Sequence, residues 1–374
     1  VSTVALVGNV VTDYEIWEGG SVLIEGAAIS GVFREPVEAD EVHEFHRSYL
    51  MPGFVDLQVN GSFGVDVATQ PELLPELGQR LTATGITSYL PTVISMGRDG
   101  YSGLLPALDE RFREGAEVLG LHLEGPFLNP EKRGAHPPEN IVRPDPGLLE
   151  ELLQMAPVRM LTLAPELEGA FELVAAAGRR GVVVSAGHTA AGFEVAYRSL
   201  DFGVSGVTHL FNAMSPLHHR EPGVPGAAFA HPRAVCGLIS DGRHVHPEVV
   251  SLAFRLLGPD RIYLTTDAIA AAGMGPGEYA LAGQRVYLEG GVPRLKSGEI
   301  AGSVLTMNEA LKNTLAFTGC TVPEAARMAA ATPARLIGEG ERKGRLAPGY
   351  DADVVALSPG MDVEAAWVRG ERVR

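Results

Sequence analysis

Residues 181–214 read GVVVSAGHTAAGFEVAYRSLDFGVSGVTHLFNAM. An apolar run, Gly181 to Val184, leads into Ser185, Ala186, Gly187 and His188. A stretch with helical character follows, from about Gly192 to Phe202. A second short apolar run, Val204 to Val207, then leads into Thr208 and His209. This reads as strand, helix and strand, a crossover that makes the two strands parallel and close neighbours. Each strand ends in a histidine, so both imidazoles emerge on one rim of a sheet. Two converging neutral imidazoles are what a transition metal needs.

Working outward, eight short apolar runs occur in order: GFVDLQV, TSYLPTV, VLGLHLE, VRMLTLA, GVVVSAG, VSGVTHL, AVCGLIS and RIYLTT. Most are separated by amphipathic stretches such as PELLPELGQRLTATG, LEGAFELVAAAGRRG and HPEVVSLAFRLLGPD. The pattern predicts an α/β chain with a (β/α)8 TIM-type barrel over residues 51–339. An open doubly wound sheet is the competitor, but no GxGxxG follows an early strand. The sixth unit is weakest: HREPGVPGAAFAHP shows no clear helix. After the eighth run a long excursion, Ala271 to Gly302, is expected to hold a hairpin (QRVYLEGGVPRL) before the helix VLTMNEALKNTLAFTG. Residues 1–50 and 340–374 alternate short β-type runs with turns, and predict one small β-sandwich domain built from both termini.

The net charge is −16 over 374 residues. That argues against nucleic acid or an anionic membrane surface as partner, and any anionic substrate needs a local basic patch. No apolar run reaches transmembrane length. The start, VSTVALVGNVVT, lacks a basic region and a cleavage site, so it reads as a first strand, and a cytoplasmic enzyme is expected. Val1 is an unusual initiator, which is compatible with a processed or trimmed start.

Barrels place their chemistry where strands end at the carboxyl face. Strand one offers Asp56, Gln58 and Asn60, strand three His122 and Glu124, strand five His188, strand six His209, and strand eight Asp267. One Glu and two His leave a coordination position open for water. Asp267 fits a general base that returns its proton to a leaving group. A lone strand-end histidine is ordinarily structural, and a lone Asp an N-cap. Four such groups on separate strand ends of one barrel point instead to a site. His122 is expected to support the ligands from behind or to sit in interior packing, rather than to be a ligand itself.

PGFVDLQVNG, LHLEGPFLN, SAGHT, THLFNAM, DGRHV and LTTDA together resemble the amidohydrolase superfamily, and within it the N-acetylglucosamine-6-phosphate deacetylases. The resemblance covers essentially the whole chain. It implies metal-dependent hydrolysis of the linear amide of N-acetyl-D-glucosamine 6-phosphate to D-glucosamine 6-phosphate and acetate, in amino-sugar catabolism and cell-wall sugar recycling. It implies Glu124, His188 and His209 as metal ligands, Asp267 as acid/base and His136 as the group that helps polarise the acetyl carbonyl. Substrate contacts are implied at Ala135, His136, Asn212, Ala213, Asp241 and along Ile300, Ala301 and Gly302. Arg220 and His244 resemble the residues that hold the sugar phosphate, at a site near a subunit interface, so a homodimer is implied. His218-His219-Arg220 is the only short cationic cluster in the sixth loop, and a guanidinium suits phosphate.

Two-metal members carry His-x-His on the first strand, where this chain has Gln58-Val59-Asn60. Neutral amides are poor ligands beside imidazole. One divalent metal per subunit is therefore expected, with Gln58 and Asn60 in supporting roles. His2Glu suits zinc best; iron, cobalt and manganese also fit. The rivals are a deacetylase of other N-acetyl sugars, an amidohydrolase of other or cyclic amides (dihydroorotase-like), and a non-catalytic scaffold. The presence of Glu124, both histidines and Asp267 weighs against the last.

Overall fold

The computed structural model describes residues 2–108 and 115–374. The eight apolar runs become eight parallel strands, Phe54–Val59, Ile86–Ile94, Leu121–Glu124, Val158–Leu163, Val183–Ala186, Val204–Val207, Val235–Leu238 and Ile262–Leu264, paired in that order. The ends meet through a parallel bridge between Val59 and Ala268, with Asn60 N–H donating to the Ala268 carbonyl at 2.8 Å. Asp56 strengthens this seam: its buried carboxylate accepts the Thr265 and Thr266 hydroxyls at 2.7 and 2.6 Å. The strands read as continuous apolar runs because a barrel strand is covered on both faces.

A helix follows each strand. The run Ala170–Arg179 shows why: Ala170, Leu173, Val174 and Ala177 fall on one buried stripe. Asp145 caps Pro146–Met155 by accepting the Gly147 and Leu148 N–H groups. The sixth unit differs from expectation, because it does contain a helix, Gly223–Ala230. Its sequence shows no stripe since it is apolar all round, with Gly223, Val224, Pro225, Ala227 and Ala228 all buried. Tertiary packing supplies what local pattern does not advertise.

The excursion after the eighth strand forms a three-stranded sheet, Gly277–Leu281, Gln284–Glu289 and Val292–Leu295. The last two are the expected hairpin, turning at Gly290 and Gly291, both at positive φ. The helix Met307–Thr318 follows, closed at its start by a capping box between Thr306 and Glu309.

Both termini meet in a separate sheet. Its seven strands hydrogen-bond continuously in the order Glu371–Arg372, Val363–Val368, Val354–Leu357, Glu41–Pro52, Thr3–Val11, Ile16–Glu25 and Ala28–Phe33. It has its own buried apolar cluster, including Leu6, Val22, Ile24, Leu50, Val354 and Trp367. Among the described residues no helix is long and apolar enough to cross a membrane.

Candidate metal centre and active site

The strand ends bring Glu124, His188 and His209 to one point. Glu124 is the last residue of its strand; each histidine lies two residues beyond its own. Glu124 Oε1 is 3.1 Å from His188 Nε2 and 3.0 Å from His209 Nε2, and the two nitrogens are 3.1 Å apart. All three side chains are buried. They form the only group of three or more potential metal ligands of this kind among the described residues. Gly187 lets His188 reach this point. A Cβ there would lie 2.7 Å from Thr162 and 2.8 Å from Thr208.

The donor chemistry fits a metal. His188 Nδ1 lies 2.8 Å from the Lys132 carbonyl, which accepts only an N–H. In the neutral ring, Nε2 is then a bare lone pair. It faces Glu124 Oε1, which also offers only lone pairs when ionised. Two acceptors 3.1 Å apart repel unless a cation lies between them. Burial would raise the Glu124 pKa, but the neighbouring His136, His188 and His209 hold it well below the usual range. The carboxylate is therefore ionised.

His188, His209 and Asp267 share a backbone feature: their φ values are 48°, 31° and 49°. Left-handed conformations cost non-glycine residues of order 1–3 kcal/mol each and cluster at functional sites. Asp267 lies three residues past the eighth strand. Asn60 Nδ2 donates to its Oδ1 at 2.8 Å. Burial and the Glu124 charge push the Asp267 carboxyl up to about 8, against the pull of His209 and Asn60.

His136 stands over the ligand cluster, its ring 4.4 Å from that of His188 and its Nε2 3.7 Å from Glu124 Oε2. The Ser95 N–H donates to His136 Nδ1 at 3.1 Å, so Nδ1 carries a lone pair and the ring proton sits on Nε2. Burial lowers the His136 pKa to about 4. The ring is thus a neutral N–H donor aimed at the centre.

These groups line one cavity of about 400 Å³. Of the residues singled out in the sequence, Asn60, Ala135, Asn212, Ala213, His244, Ile300 and Gly302 also line it. Gln58 does not, but it donates to Glu124 Oε1 at 2.9 Å. Asp241 lies behind His244 and grips its Nδ1 at 2.6 Å. Ala301 is fully buried, its N–H spent on the Pro293 carbonyl, so only its two neighbours face the cavity. Arg220 is not brought to the cavity within one chain; it is exposed, with its guanidinium 2.8 Å from His219 Nε2. His122 is interior, bonded to the Leu57 carbonyl at 2.9 Å and the Thr162 hydroxyl at 2.8 Å.

Sequence reasoning missed several wall residues: Lys132, Ile94, Ile239, Leu281 and Glu299. Ile94 and Ile239 had a usable signal, since they stand at or just past ends of the second and seventh strands. Leu281 and Glu299 come from the excursion and had none. Arg133 pairs with Glu299 at 3.0 Å, and Gln284 Nε2 donates to the Ala135 carbonyl at 2.8 Å, joining the excursion to the third loop.

The chain matches the amidohydrolase family over residues 49–373. A protein of Escherichia coli O157:H7 named N-acetylgalactosamine-6-phosphate deacetylase is 39% identical over 343 residues, 90% of either chain. The N-acetylglucosamine-6-phosphate deacetylase of Bacillus subtilis is 37% identical over 373 residues, 96% of this chain and 94% of its own. Among solved structures, a mutant N-acetyl-D-glucosamine-6-phosphate deacetylase of Mycobacterium smegmatis, in complex with N-acetyl-D-glucosamine-6-phosphate, aligns with a TM-score of 0.94. It is 33% identical, and all of both chains is covered.

Proposed function

The chain belongs to the amidohydrolase family, and we propose that it hydrolyses the acetamide of N-acetyl-D-glucosamine 6-phosphate, giving D-glucosamine 6-phosphate and acetate. The observation that carries this is one cavity holding Glu124, His188, His209, His136 and Asp267, in a chain aligned from end to end with deacetylases of that sugar phosphate. Amino-sugar catabolism and cell-wall sugar recycling in the cytoplasm are the setting that such a product fits. The reading treats residues 1–50 and 340–374 as one β-domain and residues 51–339 as the catalytic barrel.

Glu124, His188 and His209 would hold one divalent metal, for which zinc is the best match to His2Glu. Gln58 and Asn60 stand where imidazoles would be needed for a second. The metal, when bound, supplies a lowered water pKa and polarisation of the acyl oxygen. The chain's own residues do the rest. His136 presents its Nε2–H to the oxygen of the amide, where negative charge develops. Asp267 takes a proton from the attacking water and delivers it to the sugar nitrogen as the C–N bond breaks. Asn60 holds the Asp267 carboxylate in place. Asn212 and Ala213, with Ile300 and Gly302, flank the sugar.

For the phosphate, His244 stands at the cavity wall with Asp241 orienting its ring. Arg220 has no anionic partner among the described residues. Its exposure supports delivery to the cavity of a second subunit, and hence a homodimer. A galacto-configured substrate is the second reading, favoured by the name of the 39% identical relative.

The test is acetate release from N-acetylglucosamine 6-phosphate, its galacto epimer and unphosphorylated N-acetylglucosamine, with and without chelator. Metal-dependent release with preference for the first supports the reading. Preference for the epimer would transfer it to the galacto sugar. No release from any of them by metal-loaded protein would discard it.

A further inference from the structure

We propose that Glu166 is a positioning residue of the metal centre, acting through Asn129 and the Lys132 carbonyl on His188. The proposal rests on the reading of Glu124, His188 and His209 as metal ligands.

Glu166 lies three residues past the fourth barrel strand, half-buried, and does not line the cavity. Its carboxylate receives the Asn129 Nδ2 at 2.8 Å, the Ala190 N–H at 2.6 Å and the Thr189 hydroxyl at 2.5 Å. Among the described residues no Lys, Arg or His pairs with it. A carboxylate held by three neutral donors is not there to balance a cation. All three donors belong to the loops after the third and fifth strands, which carry the contacts of His188.

Asn129 is fixed at every polar group. Its Oδ1 accepts the Glu131 N–H at 2.9 Å, capping the short turn Pro130–Lys132. Its carbonyl accepts the Lys132 N–H at 2.9 Å, and its own N–H donates to the His188 carbonyl at 2.9 Å. The turn so held presents the Lys132 carbonyl to His188 Nδ1 at 2.8 Å. His188 is therefore gripped at its backbone by Asn129, at its ring by Lys132, and at the next two residues by Glu166. That support suits a residue kept at φ 48°. The outcome is a fixed tautomer, with the proton on Nδ1 and the Nε2 lone pair towards Glu124 and His209. Partners that orient a ligand in this way typically govern metal affinity by about 10–100-fold.

Thr189 extends the same hold to the sixth loop. Its N–H donates to the Ala213 carbonyl at 3.0 Å, and its carbonyl accepts the Ser215 N–H at 3.1 Å. One carboxylate outside the cavity thus ties together three loops that frame it.

The experiment measures metal affinity by competition with a chromophoric chelator, and the visible spectrum of the cobalt(II)-loaded full chain, in Glu166→Ala, Glu166→Gln, Asn129→Ala and the double Ala variant. Glu166→Ala and Asn129→Ala are expected to weaken metal binding by about 10–100-fold and to alter the cobalt spectrum. Glu166→Gln is expected to retain most of the affinity. Its amide oxygen can accept from Asn129 and Ala190 while its NH2 donates to the Thr189 hydroxyl. The double variant is expected to be no worse than the weaker single one, because both act on one route. If Glu166→Ala does not fold, Asn129→Ala carries the test, since Glu166 keeps its two fifth-loop donors. Wild-type affinity and spectrum in the Ala variants, or fully additive losses, overturn the proposal. A chain that binds metal but releases no acetate would defeat the proposed activity and leave this inference standing.

Discussion

Asn60 Nδ2 donates to Asp267 Oδ1 across 2.8 Å, joining the end of the first barrel strand to the segment that follows the eighth. It is the one hydrogen bond to the Asp267 carboxylate found among the described residues. Hydrogen bonds to charged groups are worth about 1.5–3 kcal/mol. Asn60→Ala should therefore raise the Asp267 pKa further and lower the rate near neutral pH by about 10–100-fold. With Asp267 as the proposed base, the acid limb of the kcat profile should move to higher pH. A full pH profile of acetate release checks this, and an unmoved limb would refute the role given to Asn60.

Asp267→Asn keeps the size of the side chain and removes its ability to take a proton. Turnover should fall by about 10²–10⁴-fold, the range for loss of general acid–base catalysis. Metal content should be unchanged, because Asp267 is not among the three clustered ligand atoms. Elemental analysis beside steady-state rates separates the two effects. Activity close to wild type would remove Asp267 from the chemistry.

Chelation should lower both activity and stability. A metal bound only by the folded chain adds about 2.7 kcal/mol when present at 100 times its Kd. The melting temperature should drop on chelation and recover with added zinc. The Glu124→Gln variant should melt at a temperature insensitive to either treatment. A wild-type melting point indifferent to chelator would argue against Glu124, His188 and His209 as ligands.

The strand order and strand-end groups were legible in the sequence because a barrel converts chain order into position around a ring. Glu124, His188, His209 and Asp267 each follow an apolar run, so their convergence needs no long-range knowledge. The helix Gly223–Ala230 was hidden because its apolar composition all round erases the amphipathic period. Ser95, Glu166 and the Lys132 carbonyl were hidden for another reason. They act on His136 and His188 through hydrogen bonds between loops, and two of the donors or acceptors are backbone groups that every residue carries. Arg220 could be singled out by its charge, but a single chain does not bring it to the cavity.

Asp56 gives a stability prediction with a definite sign. It is fully buried, and burial raises its pKa from 3.8 to about 6, against the bonds from Thr266, Thr265 and Gln58. Between those values the folded chain holds a proton that the unfolded chain has released. The contribution of Asp56 is thus fully present below about pH 4 and is lost as pH rises through 6. From pH 5 to pH 7 the loss is about 1 kcal/mol. Asp56→Asn cannot titrate, so its unfolding free energy should change by about that much less than wild type over the same interval. Urea unfolding at the two pH values measures the difference. Equal slopes would mean that Asp56 is ionised throughout.

Lys343 sits at the other end of the barrel, 2% exposed, with its Nζ 2.6 Å from Asp353, 2.8 Å from Glu117 and 3.1 Å from Asp351. Glu117 pairs with Ser88 near the start of the second barrel strand, whereas Asp353 adjoins Val354–Leu357 of the terminal sheet. The ammonium therefore joins the barrel floor to that sheet. Removing one partner of a buried ion pair costs about 3–5 kcal/mol; here Glu117 and Asp351 keep their pairs with Arg342, and Asp353 is the carboxylate left buried without a counter-ion. Lys343→Met should be destabilised by that order. Its kcat per folded molecule should match wild type, since the cavity lies at the opposite rim. The Asp353 carboxyl, pushed up by burial and no longer held down by Lys343, would then bind a proton more readily in the folded chain than in the unfolded one. Folding in the variant should therefore be favoured by acid relative to wild type, and the gap should narrow as pH falls from 7 to 5. Urea unfolding of both proteins at those pH values reads the gap directly. A constant gap would show that the loss comes from the packing of the Lys343 stem rather than from its charge.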